Sequence, residues 1–343
     1  MKKGHWIMAI ILLVLIAFVI TNLNTIKILC GNWFGPKASL SSSKTWEGGN
    51  SYEHVPYSEV SESDYLHLYV PESEKPVPLY IMVHGGGFFM NDLESRQAQL
   101  FYRYVRDQGY AVATINYRLG DEAMYPAAIE DVKSAVRFLR ANANEYGLDP
   151  TKFAIAGESA GGYLACMAAM TTDEEFMGVP FIGEESSDQP VSAKVEAVVD
   201  FYGCINFFTS EEEFQELKVP KWIRQIANNW LSKIVDNTEA KSIEELWIGK
   251  TISSMSKEEL EIYQVSYYAK KNQAACKDLR VVILHGDADL SVPYLQSSHF
   301  YDLIKPLYGE ENVTYRLFPN YGHASDGFYL DETLSWVLDE IGW

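Results

Sequence analysis

A serine in a glycine-rich turn is the residue of this chain best suited to nucleophilic chemistry. Residues 157–161 read Gly-Glu-Ser-Ala-Gly, after an apolar run at 153–156 and before a helix-like stretch at 160–170. A serine hydroxyl attacks a carbonyl only when a sharp turn exposes it and a base accepts its proton. Such a turn needs small neighbours, and the chain supplies Gly157, Ala160, Gly161 and Gly162. We therefore predict that Ser159 is a nucleophile on a strand-to-helix turn.

A second glycine-rich turn would supply hydrogen-bond donors for the same reaction. Residues 84–87 read His-Gly-Gly-Gly and follow the apolar run 78–83, which predicts a buried strand. Without side chains, the backbone of such a turn can approach a substrate carbonyl closely. The N–H groups of Gly86 and Gly87, together with that of Ala160, would then hold the negative charge on the carbonyl oxygen. The alternative interpretation is a glycine turn that only ends the strand.

An acid and a base are expected after the serine, because this kind of turn is followed along the chain by a carboxylate and then a histidine. The apolar run 279–284 predicts a strand that leads to two carboxylates, Asp287 and Asp289. We choose Asp289 as the acid and keep Asp287 as the competitor. The next predicted strand, 313–318, leads to a loop that carries His323, which we choose as the base.

Other histidines near these motifs have structural interpretations. His299 falls in a helical pattern at 294–307 and is expected on a helix surface. His67 lies in an alternating strand, where an exposed or hydrogen-bonded position is expected. His84 and His285 border glycine turns, and we expect them to hold loops through ring hydrogen bonds. None of these residues is chosen for proton transfer.

Taken together, these motifs resemble the hormone-sensitive-lipase-like and bacterial carboxylesterase branch of the α/β-hydrolases. The resemblance runs from about Ser51 to the C-terminus and depends on four motifs in the family's order. They are His-Gly-Gly-Gly at 84–87, Gly-Glu-Ser-Ala-Gly-Gly at 157–162, the late His-Gly-x-x-Asp at 285–289 and the final Gly-His at 322–323.

The resemblance implies particular roles for the residues already named. It implies a catalytic triad of Ser159, Asp289 and His323, and an oxyanion hole formed by Gly86, Gly87 and Ala160. Two departures weaken inference about the substrate while leaving the chemistry intact. Asn116 stands where this branch often has Asp, and Tyr163 stands where relatives often carry His or Asn.

Alternating strand and helix patterns across most of the chain predict one large α/β unit, a mostly parallel sheet with helices on both faces. The helical pattern from Ala127 to Tyr146 has one apolar face, and Gly147 follows as a stop. The nearly continuous apolar runs at 111–116 and 195–201 are typical of strands covered on both faces. The alternating stretch 65–70 predicts an antiparallel edge strand.

The segment 204–272 interrupts this rhythm with charged helical stretches that carry many aromatic residues. An insertion between the strands predicted at 195–201 and 279–284 would lie at the carboxyl ends of the strands, where ligands bind in open α/β sheets. We interpret it as a helical cap, and a peripheral helical excursion is the alternative. The residues assigned to a substrate pocket are Phe88, Phe89, Trp222 and Trp230.

The composition excludes several classes of function. A net charge of −19, with no cluster of lysine and arginine in the folded segments, argues against nucleic-acid binding. Four cysteines without a C-x-x-C spacing are too few for a disulfide framework. No metal or nucleotide pattern is found, so no metal and no cofactor are expected. The expected partner is a small-molecule or carbohydrate ester.

The N-terminus has the charge order of a secretory signal or a signal anchor. Lys2 and Lys3 precede an apolar run at 6–20. As a helix this run spans about 22 Å, less than a hydrocarbon core of about 30 Å, although apolar residues as far as Leu29 could extend it. Because no clean A-x-A cleavage site follows, we favour an uncleaved membrane anchor at 1–30. Secretion after signal cleavage is the alternative.

These inferences define three parts of the chain and one function. After the anchor, residues 31–50 would be a tether, and residues 51–343 would be a hydrolase domain outside the cytoplasm. The predicted function is a serine carboxylesterase that acts on short or medium acyl esters through an acyl-enzyme. The alternatives are a carbohydrate deacetylase or feruloyl-type esterase, a serine peptidase, and a non-catalytic binding protein on the same fold.

Overall fold

A computed structural model describes residues 36–38, 46–187, 189–227, 229, 234 and 242–343 of this chain. Its centre is an eight-stranded sheet with the strand order β1-β2-β4-β3-β5-β6-β7-β8. The strands are β1 (Gly49–Pro56), β2 (Tyr65–Pro71), β3 (Val77–Val83), β4 (Ala111–Ile115), β5 (Leu148–Glu158), β6 (Ala197–Phe201), β7 (Arg280–Gly286) and β8 (Val313–Phe318).

The sheet is mostly parallel, and its register brings the motif loops to one edge. β1 and β2 pair antiparallel, β2 pairs antiparallel with β4, and the remaining neighbours are parallel. Val83 pairs with Gly157, Glu158 with Phe201, and Gly286 with Phe318. The loops that follow β3, β5, β7 and β8 therefore leave the sheet at the same carboxyl edge.

Helices follow each of the strands from β3 to β8. Outside the segment between β6 and β7 they are α1 (Arg96–Asp107), α2 (Ala127–Ala141), α3 (Ala143–Tyr146), α4 (Ala160–Met170), α11 (Leu295–Tyr308) and α12 (Asp331–Ile341). Between β6 and β7 lie α5 (Ser210–Glu216), α6 (Lys221–Ala227), α7 (Ile243–Ile248), α8 (Lys257–Glu261), α9 (Val265–Lys271) and α10 (Gln273–Cys276). Short 3₁₀ turns occupy Glu184–Ser186, Ile252–Ser254 and Asp326–Tyr329.

Two apolar cores lie on opposite faces of the sheet. Alternate residues of β3 point to opposite faces, so that Ile81 belongs to one core and Met82 to the other. The first core includes residues of α2, α4 and α11, and the second includes residues of α1 and α12. The prediction of an α/β-hydrolase fold with helices on both faces is confirmed.

Several element boundaries differ from the sequence predictions. The predicted edge position of the strand at 65–70 is wrong, because β1 pairs along the outer side of β2. The predicted helix at 127–146 is divided at Asn142 into α2 and α3. Gly147 ends it in the left-handed conformation, at φ 71° and ψ 31°, which favours glycine.

The predicted N-terminal segments are described only in part. The predicted anchor at 1–30 lies outside the described residues. Of the predicted tether, residues 36–38 and 46–50 are described, and Trp46 packs edge-on against Tyr69 of β2 with ring centroids 6.2 Å apart. β1 begins at Gly49, two residues before the predicted boundary at Ser51. Within the described ranges, no helix is long and apolar enough to cross a membrane.

Candidate active site

Ser159 lies at the turn between β5 and α4 in a strained backbone conformation. Its φ of 54° and ψ of −118° are rarely adopted by a residue with a side chain. The turn is tight, since a Cβ added at Gly157 would lie 2.1 Å from the carbonyl oxygen of Gly161. A Cβ at Gly161 would lie 2.2 Å from the carbonyl oxygen of Val83. The small residues of the motif are thus required by close backbone approaches on both sides of the serine.

A chain of hydrogen bonds joins three side chains from three different loops. The hydroxyl of Ser159 donates to Nε2 of His323 over 2.9 Å, and Nδ1 of His323 donates to Oδ2 of Asp289 over 2.7 Å. Ser159 follows β5, Asp289 follows β7 and His323 follows β8. Ser159 and His323 are 164 positions apart along the chain, and Asp289 and His323 are 34 positions apart. The register of the sheet therefore brings the three side chains together.

The Asp289 carboxylate is held by several donors besides His323. Its Oδ1 accepts the backbone N–H groups of Ser291 at 2.8 Å and Val292 at 2.9 Å. Nε2 of His285 lies 3.3 Å from Oδ2. Asp289 is only 4% exposed, and these contacts fix the orientation of its carboxylate toward His323.

The charges of this pair shift both of their pKa values. Burial would raise the pKa of the Asp289 carboxyl, but His323 and the hydrogen bond from His285 outweigh burial and hold it well below its usual range. Burial would lower the pKa of His323, but the Asp289 carboxylate outweighs burial and raises it. Asp289 is therefore ionised near neutral pH, and His323 is a stronger base than a free imidazole.

Asp287, the competing carboxylate, has a different position. Its Oδ1 accepts the backbone N–H of Asn320 over 2.6 Å, and its own N–H donates to the carbonyl of Phe318. These contacts attach the loop after β7 to the loop that carries His323. Asp287 therefore supports the position of the histidine loop, while Asp289 is the carboxylate bonded to the imidazole.

The His-Gly-Gly-Gly loop packs directly against the serine turn. A Cβ at Gly85 would lie 2.6 Å from the carbonyl oxygen of Glu158, which leaves room for glycine alone. Gly86 and Gly87 have positive φ values of 116° and 60°. Ala160 is the first residue of α4, so its N–H has no acceptor within that helix. The loop conformation and this helix N-terminus are compatible with the predicted donors Gly86, Gly87 and Ala160.

Glu158, the residue before the serine, links the parts of the site to one another. Its buried carboxylate accepts the N–H of Gly85 over 3.1 Å and the hydroxyl of Tyr202 over 3.3 Å. The Tyr202 hydroxyl also lies 2.7 Å from the hydroxyl of Tyr329, and its ring packs edge-on against His323 at 5.0 Å. Burial raises the pKa of Glu158, and the N–H of Gly85 opposes that shift. One carboxylate thus connects the glycine loop, the serine turn and the histidine loop.

Aromatic side chains from the segment between β6 and β7 cover the other side of the serine turn. The hydroxyl of Tyr163, on the first turn of α4, donates to the carbonyl of Tyr263 over 2.9 Å. Phe88 stacks on Trp247 of α7, with ring centroids 3.9 Å apart. Phe207, in the loop after β6, packs against Tyr163 at 4.6 Å. The segment therefore packs against the carboxyl edge of the sheet that carries Ser159.

Comparison with known sequences identifies the family of this chain. The sequence pattern of the BD-FAE family matches residues 66–304, which is more than half of the chain. The chain belongs to the BD-FAE family. This match, with similarity to mycobacterial Lip esterases and a bacterial acetyl esterase, confirms the predicted relation to the hormone-sensitive-lipase-like α/β-hydrolases.

Named relatives of this BD-FAE protein are esterases. Esterase LipQ from Mycobacterium tuberculosis is 29% identical over 249 residues, which cover 73% of this chain and 50% of LipQ. An acetyl esterase from Salmonella paratyphi B is 36% identical over 118 residues, or 34% of each chain. The chain thus spans about half the length of LipQ and about a third of the acetyl esterase.

A solved structure of similar shape is that of a carbohydrate esterase. This truncated enzyme from gut microbiota has a TM-score of 0.65 and 26% identity to the BD-FAE chain. The similarity covers 86% of this chain and 97% of that chain. A domain with this arrangement of strands and helices therefore accounts for nearly the whole of that esterase.

The four predicted pocket residues of this BD-FAE protein have different environments. Phe88 is 2% exposed and lies within the aromatic contacts described above. Phe89 is partly buried, and its ring lies against Gly120. Trp222 lies on α6 and is 59% exposed, so neighbouring side chains do not enclose its ring. Trp230 lies outside the described residues.

His84, His285 and His299 have the structural positions that the sequence predicts. Nδ1 of His84 lies 2.8 Å from the carbonyl of Gly85, and burial lowers the pKa of His84 to about 4. Nδ1 of His285 lies 2.7 Å from the hydroxyl of Ser297. His299 lies on α11 and is more than half exposed. These rings hold loops or face solvent, and in the part of the chain that the structure describes none of them is hydrogen-bonded to Ser159.

Sequence reasoning missed three residues of the site. Glu158 occupies the variable position of the serine motif, so the motif itself assigns it no role. Tyr202 directly follows β6, at the same sheet edge as the other motifs, and this position was the available signal. Trp247 is one of several aromatic residues of the insertion, and nothing in its local sequence distinguishes it from Trp222.

Proposed function

We propose that this protein is a serine carboxylesterase that hydrolyses short or medium acyl esters through an acyl-enzyme. The observation that carries the proposal is the chain of hydrogen bonds from Ser159 through His323 to Asp289. Ser159 lies on a strained strand-to-helix turn. A nucleophile, a base and a group that orients the base are the parts that acyl transfer requires.

In the first half-reaction, Oγ of Ser159 attacks the carbonyl carbon of the ester and its proton passes to Nε2 of His323. The imidazolium that forms is stabilised by the Asp289 carboxylate, which does not itself take the proton. The carbonyl oxygen becomes an oxyanion, and the N–H groups of Gly86, Gly87 and Ala160 donate to it. When the carbon–oxygen bond to the alcohol breaks, the departing alcohol oxygen takes the proton from Nε2 of His323.

In the second half-reaction, water replaces the alcohol. His323, neutral again, accepts a proton from the water as its oxygen attacks the acyl carbon. The same backbone donors stabilise the second oxyanion. Its collapse breaks the bond to Oγ of Ser159, the proton on His323 returns to the serine, and the carboxylic acid leaves. Ser159, His323, the alcohol and water account for every proton transfer in both half-reactions, while the backbone donors only form hydrogen bonds to the oxyanion.

The aromatic side of the site supports small apolar acyl groups as substrates. Phe88, Tyr163, Phe207 and Trp247 are all buried and in ring contact with one another. Apolar rings next to the nucleophile favour burial of an alkyl chain, at about 0.8 kcal/mol for each methylene.

A second candidate is an ester carried by a carbohydrate, such as an acetylated oligosaccharide. The observation that favours it is the likeness to the gut carbohydrate esterase, which covers 97% of that chain. The chemistry at Ser159 would be the same in both cases. The two candidates differ in the alcohol that leaves, which is a sugar in the second.

A panel of substrates tests these proposals. We expect wild-type protein to hydrolyse p-nitrophenyl acetate and butyrate, and Ser159→Ala to be inactive. Higher kcat/KM for an acetylated xylo-oligosaccharide than for p-nitrophenyl acetate would favour the carbohydrate candidate. Cleavage of peptide amides at a rate comparable to esters would favour a serine peptidase instead. Complete absence of ester hydrolysis would favour a non-catalytic binding protein.

We also propose that residues 1–30 attach the enzyme to a membrane with its catalytic domain outside the cytoplasm. The order of Lys2 and Lys3 before an apolar run supports this orientation. Fractionation of cells that express the full chain tests it. Recovery with the membrane, and sensitivity to protease added outside, are expected. A soluble extracellular form that begins after about residue 25 would indicate a cleaved signal.

A further inference from the structure

One tryptophan of the cap lies directly against the glycine loop. Trp247 of α7 is fully buried, and its ring is nearly parallel to that of Phe88, with centroids 3.9 Å apart and planes 10° apart. Phe88 is covalently joined to Gly87, a proposed oxyanion donor. The ring contact therefore joins the cap to the part of the backbone that would hold the oxyanion.

The loop at this point has an unusual backbone. The φ angles of Gly86, Gly87 and Phe88 are 116°, 60° and 68°, so three consecutive residues have positive φ. Glycine adopts such values freely, but an aromatic residue rarely does. A residue in this conformation persists only where its surroundings fix it. The surroundings of Phe88 therefore determine whether the loop keeps its shape.

Among these surroundings, Trp247 makes the parallel ring contact. Tyr163 and Phe207 each meet Phe88 edge-on at 5.7 Å. The backbone carbonyl of Phe88 accepts the N–H of Gly120 over 2.8 Å. The indole Nε1 of Trp247 is buried and has no hydrogen-bond partner among the described residues. The indole is thus held by ring packing and not by a hydrogen bond of its own.

We infer that Trp247 is a positioning residue for the oxyanion hole: by stacking on Phe88 it keeps residues 86–88 in the conformation that presents the N–H groups of Gly86 and Gly87 to the substrate carbonyl. The inference rests on the proposed esterase function. It gives the cap a role in the chemical step, separate from any choice of substrate.

This role predicts a specific kinetic signature. Oxyanion donors bind the transition state more strongly than the ground-state carbonyl, so their displacement lowers kcat and leaves KM little changed. The oxyanion is common to all esters, so the loss is the same factor for acetyl and butyryl substrates. A residue that only lined an acyl pocket would change the ratio between the two substrates.

Substitutions of Trp247 test the signature with p-nitrophenyl acetate and butyrate. Active sites are first counted by fluorophosphonate titration, so that misfolded protein does not enter kcat. Trp247→Ala is expected to lower kcat by about 10- to 100-fold, with KM within about threefold and the same factor for both esters. Trp247→Phe is expected to stay within about threefold of wild type, because it keeps a stacking ring and removes no hydrogen bond. Trp247→Leu replaces the alanine variant if the latter does not fold.

A control and a double variant isolate the contact. Trp336 lies on α12, where its ring meets the guanidinium of Arg316 at 5.2 Å, and Trp336→Ala is expected to keep wild-type kcat. Phe88→Gly removes the ring through which Trp247 acts. In that background, Trp247→Ala is expected to cause no further loss of kcat beyond about twofold, because coupled residues are not additive.

Several results would overturn the inference. They are a changed ratio between acetate and butyrate, a raised KM with unchanged kcat, a Trp247→Phe variant as impaired as Trp247→Ala, or losses that multiply in the double variant. Wild-type kcat in Trp247→Ala would also overturn it. A wild-type protein that hydrolyses neither ester would contradict the proposed function itself, which the same assay reports separately.

Discussion

The two sides of Ser159 are built from different interactions. On the side of β7 and β8, His323 and Asp289 are fixed by hydrogen bonds of 2.9 and 2.7 Å. On the cap side, Phe88 and Trp247 are fixed by ring contacts, with one stacked pair at 3.9 Å. Hydrogen bonds depend on particular atoms, whereas ring packing depends on shape and area.

This difference separates two kinds of sensitivity to substitution. On the polar side, loss of one atom breaks a hydrogen bond on which the proposed proton transfer from Ser159 to His323 depends, whatever the substrate. On the aromatic side, another ring of similar size can preserve the contact. Substitutions on the two sides should therefore differ both in size of effect and in tolerance of conservative changes.

Removal of the nucleophile is expected to have the largest effect. Ser159→Ala should lower kcat for p-nitrophenyl acetate by about 10⁶-fold, because the acyl-enzyme can no longer form at residue 159, while the backbone donors leave a residual rate. Circular dichroism and the melting temperature should match wild type. Activity near that of wild type would end the triad hypothesis.

The two carboxylates after β7 should differ by orders of magnitude. Asp289→Asn is expected to lower kcat by about 10⁴-fold, because the amide favours the wrong tautomer of His323. Asp287→Asn weakens an acceptor for the Asn320 N–H and should cost about 1 kcal/mol of stability with activity within about threefold. Steady-state kinetics and thermal unfolding check both variants. The assignment is wrong if Asp287→Asn is the crippling change.

The pH profile should show the raised pKa of His323. The base must be neutral, so kcat/KM is expected to fall about tenfold for each pH unit below that pKa. Because Asp289 raises the pKa, the acid limb should lie above about pH 6.5, the ordinary value for histidine. Residual activity of Asp289→Asn should have its acid limb at lower pH. A wild-type limb centred below about pH 6 would contradict the proposed pairing.

Substitution of Glu158 should have an intermediate effect on kcat. Glu158→Gln keeps the side-chain volume but weakens the acceptor for the N–H of Gly85, and kcat is expected to fall about tenfold, equivalent to about 1.4 kcal/mol. The acid limb should also move down slightly, since Glu158 contributes to the raised pKa of His323. Tyr329→Phe is the milder control. Unchanged kcat in Glu158→Gln would show that the link is dispensable.

The exposed cap tryptophan should have the smallest effect. Because Trp222 is 59% exposed, its ring is not enclosed by neighbouring side chains as the wall of a buried pocket is. Trp222→Ala is therefore expected to change the kcat/KM ratio between acetyl and butyryl esters by less than about threefold. A change of about tenfold in this ratio, with an unchanged melting temperature, would restore Trp222 as a pocket residue.

Much of the side that holds Asp289 and His323 could be predicted from the sequence, because its residues belong to short motifs that can be read locally. Each motif lies in the loop after a predicted strand, so the order of strands and loops places Ser159, Asp289 and His323 at one sheet edge. Gly157 and Gly161 could be interpreted in the same way, because each is required by a backbone approach within its own turn or the adjacent strand. Asp289 is chosen over Asp287 from the sequence, and the structure adds the different contacts of the two carboxylates, with His323 and with the Asn320 N–H.

The ring contacts around Phe88, the contacts of Glu158 and the edge strand β1 could not be predicted in this way. The stacking of Trp247 on Phe88 joins residues far apart in sequence, and the tryptophans of the cap have similar local surroundings. The contacts of Glu158 with Gly85 and Tyr202 depend on how three loops meet. β1 was missed as the edge strand because its residues are mostly polar and exposed, so no apolar pattern marks it.

Covalent labelling tests the central claim most directly. The purified protein is treated with a fluorophosphonate, and the intact mass and digested peptides are measured. One adduct on Ser159 is expected, it should be absent in Ser159→Ala, and its formation should parallel the loss of ester hydrolysis. An adduct on another serine, or full esterase activity without any adduct on Ser159, would contradict the account.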